Sequence, residues 1–172
     1  MGQQYLPAAR SDFIGIENII HLATGGEPPL LARHRDAFEK FAQDKAAGMS
    51  GYASHWELVE GVRNKAAGFF NLNVGDIGLI GNASEGIVKV LSSIDWHEGD
   101  NVVISELDYT SGRYALGNLK RLGVEVRMVP KTGWYIDTDD LKNACDDKTR
   151  VLYISQVNAT TGQFIDISNL SE

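Results

Sequence analysis

The chain has 172 residues, of which 43% are hydrophobic and 23% charged, and a net charge of −7. That length suffices for one sizeable core, and the acidic balance excludes nucleic acid or an anionic membrane as main partner, since both require a basic surface. No apolar run approaches the ~20 residues of a membrane span, no charged-then-apolar leader is visible, and the single cysteine, Cys145, permits no internal disulfide. A cytoplasmic setting is expected.

Residues 1–18 show no clear period. Ile19-Ile20-His21-Leu22 reads as a short extended piece leading into Ala23-Thr24-Gly25-Gly26-Glu27-Pro28-Pro29, where two glycines and two prolines enforce a loop with an extended exit. Pro29–Ala47 is amphipathic, with Leu30, Leu31, His34, Ala37, Phe38 and Phe41 on one helical face. The stretch Gly48–Tyr52 should break this helix. A second is expected from about Ser54 to Phe70, with Trp56, Val59, Val62, Arg63, Ala66, Ala67 and Phe70 in register. A monomeric core and a dimer contact would demand the same stripe.

Ile77–Ile80 is a short apolar segment that reads as a strand. Gly81-Asn82-Ala83-Ser84-Glu85-Gly86 then turns into a helix carrying Ile87, Val88, Val90, Leu91 and Ile94. Asn82 or Ser84 can cap that helix, and the small residues let an anion approach its free N–H groups. After the Gly99-Asp100 turn comes a buried strand, Asn101–Ser105, and the loop Glu106-Leu107-Asp108-Tyr109, in which Asp108 can hold a backbone N–H. A helix over Thr110–Leu122 closes at Gly123, and Val124–Val129 reads as the next strand. Asp137 or Thr138 should cap a helix over Asp139–Cys145, before a strand over Val151–Ser155 and the loop Gln156–Gly162. Another helix begins at Asp166. Strand and helix alternate, which predicts parallel βαβ units with ligands at the carboxyl ends of the strands.

The four histidines show no metal-ligand spacing, and Cys145 sits on a polar helix as an inert thiol, so no metal site is expected. Hydrolase elbow, P-loop and dinucleotide fingerprints are absent.

The order strand, Asn82-Ala83-Ser84-Glu85, helix, Trp96-His97-Glu98-Gly99-Asp100, strand, Asp108-Tyr109 resembles the fold-type-I pyridoxal-phosphate enzymes. Within them it is most similar to the class V aminotransferase superfamily, with its cysteine desulfurases, selenocysteine lyases and isopenicillin-N-epimerase-like enzymes. The likeness runs from about His21 to the last residue. It implies an α/β fold: an incomplete three-layer αβα sandwich with a mostly parallel sheet, the N-terminal part of a cofactor-binding large domain. Residues 1–52 would form an N-terminal segment and 53–172 the large-domain part.

The resemblance also implies pyridoxal 5'-phosphate as cofactor, with Ala83 and Ser84 on its phosphate and Tyr109 stacked on its ring. Many desulfurases have His in place of Tyr109, so this chain leans toward the aminotransferase and epimerase-like branch. Thr24 and Gly25 would pass near the substrate. Where the family reads S-H-V-S-N-x-x-G, Ser155, Val157 and Gly162 fall in register, and Gln156 takes the histidine position, facing substrate. The family asparagine that bonds the cofactor's ring oxygen aligns with Ala159. Either the loop shifts so that Asn158 serves, or that bond is absent.

In the family, the lysine that bonds the cofactor aldehyde and the carboxylate on the pyridine nitrogen both follow this region. Lys89, Lys120, Lys131, Lys142 and Lys148 match neither position, so no catalytic residue is assigned here. The expectation is therefore an inactive N-terminal fragment of a homodimeric enzyme acting on a small amino acid by transamination, epimerisation or lyase chemistry. In such a fragment Ile77–Ile80 would stay unpaired, because the strands beside it in the family's full sheet are missing. The alternatives are a non-catalytic α/β module holding a phosphorylated ligand at Asn82–Gly86, and a dimerisation piece built on the first two helices.

Overall fold

The structure, a computed structural model, describes residues 8–170. The chain divides into two compact units, Met1–Leu79 and Ile80–Glu172.

The first unit is built on a helical hairpin, α1 (Ala32–Ala46) and α2 (Met49–Phe70). The expected break over Gly48–Tyr52 is narrower than that: Gly48 alone, at φ +61°, reverses the chain and α2 starts at Met49. Gly51 serves a different purpose. A Cβ there would stand 2.0 Å from the Asp44 carbonyl oxygen, so its missing side chain lets the two helices touch backbone to backbone. Ser54 Oγ donates to Asp44 at 3.2 Å, and Phe41 stacks on His55 at 4.9 Å. Arg63, expected on the apolar face, instead donates to the carbonyls of Ile77 (3.0 Å) and Val74 (2.9 Å), which ties the turn after α2 back onto the helix.

Ile77–Ile80 forms no strand. Ile77 is extended (φ −99°, ψ 110°) but has no ladder partner, and Leu79 and Ile80 are exposed. The unpaired state expected of this segment is what the described residues show.

The second unit contains α3 (Ala83–Ser92), β1 (Asn101–Ser105), α4 (Thr110–Gly117), β2 (Glu125–Val129), α5 (Thr138–Asn143) and β3 (Thr149–Tyr153). The three strands pair in parallel in the order β2-β1-β3. The unbroken apolar run of β1 matches its central place, where every residue is buried. Its side chains alternate between two cores. Val102 and Ile104 pack with Leu91 of α3 and Leu116 of α4, whereas Val103 packs with Ile136 and with Leu141 of α5. Helices thus cover both sheet faces, and the three-layer α/β architecture with a parallel sheet holds.

Several boundaries differ from expectation: α1 starts at Ala32, past the two prolines, and α5 ends at Asn143, which leaves Cys145 beyond the helix. β3 begins and ends two residues early, and the Ser155 N–H bonds the Asp108 carboxylate at 2.9 Å. The helix after Tyr109 ends as α4 at Gly117 and tightens into a 3-10 turn over Asn118–Leu122, which Gly123 closes at φ +78°. At the other end of the unit, the expected helix after Asp166 is a 3-10 turn, Ile167–Leu170.

Candidate functional site

The chain leaves β1 through α4 on one face of the sheet and leaves β2 through α5 on the other. The strand order therefore reverses at β1, and the crevice at the carboxyl ends of β1 and β3 is where an open α/β sheet accepts a ligand. Two loops form its walls, Glu106–Tyr109 after β1 and the segment 154–166 after β3.

The start of α3 supplies anion-binding groups. Of the two expected caps, Asn82 does the work, its Oδ1 accepting the Glu85 N–H at 2.9 Å. Glu85 reaches back to accept the Gly81 N–H at 2.8 Å. That bond, followed by Lys89, holds its carboxyl below the usual carboxylate range. With Asn82 as cap, the Ser84 hydroxyl is uncommitted, and the N–H groups of Ala83 and Ser84 have no acceptor among the described residues. Ser84 shares a groove of ≈ 450 Å³ with Val88, Thr110, Ser111 and Tyr114, so the starts of α3 and α4 converge. Tyr109 directly precedes α4 as its N-cap. Tyr109 is 62% exposed, and its ring stacks on no other ring among the described residues.

The loop after β3 folds into a narrow excursion. Val157 bridges to Phe164, Ile165 N–H bonds the Gln156 carbonyl at 2.8 Å, and Gly162 turns at φ +71°. Asn158 is buried within it. Its Oδ1 accepts the N–H groups of Thr160 (2.9 Å) and Thr161 (3.0 Å), and its Nδ2 donates to the Leu107 carbonyl at 2.7 Å. These partners fix the amide orientation and leave one Nδ2 hydrogen without a protein acceptor. The Gln156 side chain is exposed, as is Thr160.

Asp108 bridges the ends of β1 and β3, accepting the N–H groups of Ser105 (3.3 Å) and Ser155 (2.9 Å). Nearby, the Tyr153 phenol is pushed above its ordinary value by burial first and by Asp108 second. Gly112 of α4 lies against that ring, where a Cβ would meet it at 2.6 Å. Sequence reasoning missed the roles of Thr110, Ser111 and Gly112, whose only local signal is a run of small residues after Tyr109. Thr24 and Gly25 belong to the first unit, on an exposed turn closed by Gly26 N–H to the Ala23 carbonyl at 3.0 Å. Ala83, Ser84, Tyr109, Asn158 and Gln156 all belong to the second.

These residues fit a phosphorylated planar ligand. Two free N–H groups and a hydroxyl at a helix start suit a phosphate. A bare aromatic face suits a ring, and a buried, oriented amide hydrogen suits a ring oxygen.

Residues 26–172 match the family described as Aminotransferase class-V. A probable cysteine desulfurase of Methanothermobacter thermautotrophicus is 28% identical over 109 residues, 63% of this chain and 27% of that protein. Histidinol-phosphate aminotransferase 1 of Bacillus cereus is 27% identical over 157 residues, 91% of this chain and 40% of that protein. Among solved structures, a lysine-to-alanine mutant of C-DES with glycine covalently linked to its pyridoxal-phosphate cofactor superposes with a TM-score of 0.86 at 22% identity, covering 95% of this chain and 45% of that one. The cystine C-S lyase C-DES in complex with cysteine persulfide gives a TM-score of 0.83, also at 22% identity, over 92% of this chain and 44% of that one. This chain thus spans less than half the length of these relatives. It belongs to the aminotransferase class-V family.

Proposed function

We propose that this chain forms the cofactor-binding N-terminal part of a pyridoxal-phosphate-dependent enzyme acting on a small amino acid. The observation that carries this reading is the groove shared by Ser84 and the start of α4, with the exposed Tyr109 directly preceding that helix. Pyridoxal phosphate, when bound, supplies the electron sink for bond breaking at the amino-acid Cα. The N–H groups of Ala83 and Ser84 and the Ser84 hydroxyl hold its phosphate. Tyr109 covers the ring, and the remaining Nδ2 hydrogen of Asn158 takes the ring oxygen. Gln156 serves the substrate side.

Transamination, epimerisation and lyase chemistry share these binding parts. The lysine and carboxylate that complete the chemistry in the family would lie in the additional length that the relatives possess. By itself the 172-residue chain would bind cofactor without turnover. The intact enzyme would be a cytoplasmic homodimer, and the exposed Phe38, Trp56, Phe69 and Phe70 of the hairpin support an interface there. No helix among the described residues is long and apolar enough to cross a membrane.

A second reading, a phosphate-binding module without catalysis, draws on the same observation, since every anion donor comes from the start of α3. Tyr109→Ala separates the two. A stacked ring contributes roughly 1 kcal/mol or more, so the variant should retain pyridoxal phosphate about tenfold less well, while competition by inorganic phosphate stays constant. Unchanged retention of the cofactor removes Tyr109 from the site and favours the module.

A further inference from the structure

We infer that Asp108 and Asn158 form a reciprocal clasp across the crevice that sets the gap between Tyr109 and the loop after β3, making Asp108 a positioning residue and giving Asn158, which meets the ring oxygen in the reading above, a second, positioning role. The inference rests on the cofactor-binding reading above for its ligand, and on the ligand-free geometry for its existence.

Each side chain grips the backbone of the opposite loop. Asp108, from the β1 loop, accepts the Ser155 N–H at 2.9 Å, and Asn158, from the β3 loop, donates to the Leu107 carbonyl at 2.7 Å. Both residues are buried, Asp108 4% and Asn158 7% exposed. Leu107 and Asp108 are the two residues before Tyr109, while Ser155 and Asn158 bracket Gln156. The clasp therefore holds the backbone on both sides of the proposed ring slot.

No cation pairs with Asp108 among the described residues, and its hydrogen-bond donors are neutral N–H groups at two strand ends. A buried carboxylate without a counter-charge is a poor device for stability alone, because its desolvation is costly. It is an effective device for geometry: two oxygens of one rigid group fix the ends of two strands at once. Preorganising a slot in this way reduces the ordering cost of binding.

The test uses the full chain, with the variants Asp108→Ala, Asp108→Asn, Asn158→Ala and Asp108→Ala/Asn158→Ala. Without ligand, amide hydrogen exchange at Ser155 should quicken roughly tenfold in Asp108→Ala, as befits loss of one buried bond, while the amide of central Val103 keeps its protection. With pyridoxal phosphate as probe, each single variant should bind about tenfold more weakly and with altered circular dichroism of the bound cofactor. The double variant should be no worse than Asn158→Ala, which also loses its own ring-oxygen contact, because either loss opens the clasp. Asp108→Asn should recover part of the affinity, since its amide oxygen still accepts the Ser155 N–H. Unchanged exchange at Ser155, or strictly additive losses of cofactor affinity, would overturn the inference. Failure of the unsubstituted chain to bind pyridoxal phosphate would instead count against the proposed function, and the clasp would then stand or fall on the exchange data.

Discussion

Two glycines on the same helix should respond to the same substitution with opposite signs. Gly61 lies in the interior of α2, and a Cβ there would meet nothing within 4 Å. Gly61→Ala should therefore recover the helix penalty of glycine, about 0.5–1 kcal/mol. Gly51 lies in the first turn of α2, where a Cβ would stand 2.0 Å from the Asp44 carbonyl oxygen and 2.6 Å from its carbonyl carbon. Those are backbone atoms of α1 and cannot rotate away, so the helices must separate. Overpacking of this kind costs about 1–3 kcal/mol, more than the propensity gain near a helix start. Separation also weakens the Ser54–Asp44 bond and the Phe41–His55 stack. The expected balance for Gly51→Ala is a loss of about 1–2 kcal/mol, a fall in melting temperature of several degrees at this chain size. Thermal melts followed by far-ultraviolet circular dichroism on both variants make the comparison. A Gly51→Ala protein melting at or above the parent, or a Gly61→Ala protein melting below it, would refute the close-approach argument.

Two further predictions concern the second unit. Asp146 receives Arg127 at 2.7 Å, Asn101 Nδ2 at 2.7 Å and the Lys148 N–H at 2.9 Å, which together hold its carboxyl down to about 2, Arg127 contributing most. A folded value below the unfolded one of ~4 means that this stabilisation is complete above pH ~4 and is lost as pH falls toward 2. Asp146→Asn should flatten the acid limb of the stability curve over that window, and parallel acid limbs for parent and variant would exclude the mechanism. Asn82→Ala should cost roughly 1 kcal/mol through loss of the α3 cap. Asn82→Asp should keep the cap yet weaken pyridoxal-phosphate binding by charge repulsion, as measured by cofactor titration; equal binding by parent and Asn82→Asp would place the phosphate elsewhere.

Much of the fold was legible because its signals are local. The apolar run of β1 announces a strand buried on both faces, and Asn101–Ser105 matches expectation residue for residue. Asn82 and Asp137 declare their helices through side-chain oxygens that reach N–H groups two or three residues away. Gly123 ends its helix in the left-handed conformation that glycine favours. The second helix was misjudged at its start because Gly48 and Gly51 look alike in sequence, whereas one turns the chain and the other admits a neighbouring backbone. Asn158 lies one position before Ala159, where the resemblance puts the family asparagine, and its partners 51 residues away at Leu107 and nearby at Thr160 and Thr161 could not be read from its neighbours.

The sequence by itself determined most of the helices and strands, Ile77–Ile80 and the turn after Asp166 excepted, which faces are apolar, and that a helix start with small residues precedes a strand and a tyrosine. Those properties depend on period, capping and turn chemistry within a few residues. Tertiary structure alone decided that β1 lies between β2 and β3, that Ser84 meets the start of α4, that Arg63 serves the carbonyls of Val74 and Ile77, and that Asp108 and Asn158 reach across to each other's loops. Such pairings arise when distant segments bury apolar surface together and every enclosed N–H and carbonyl must still find a partner.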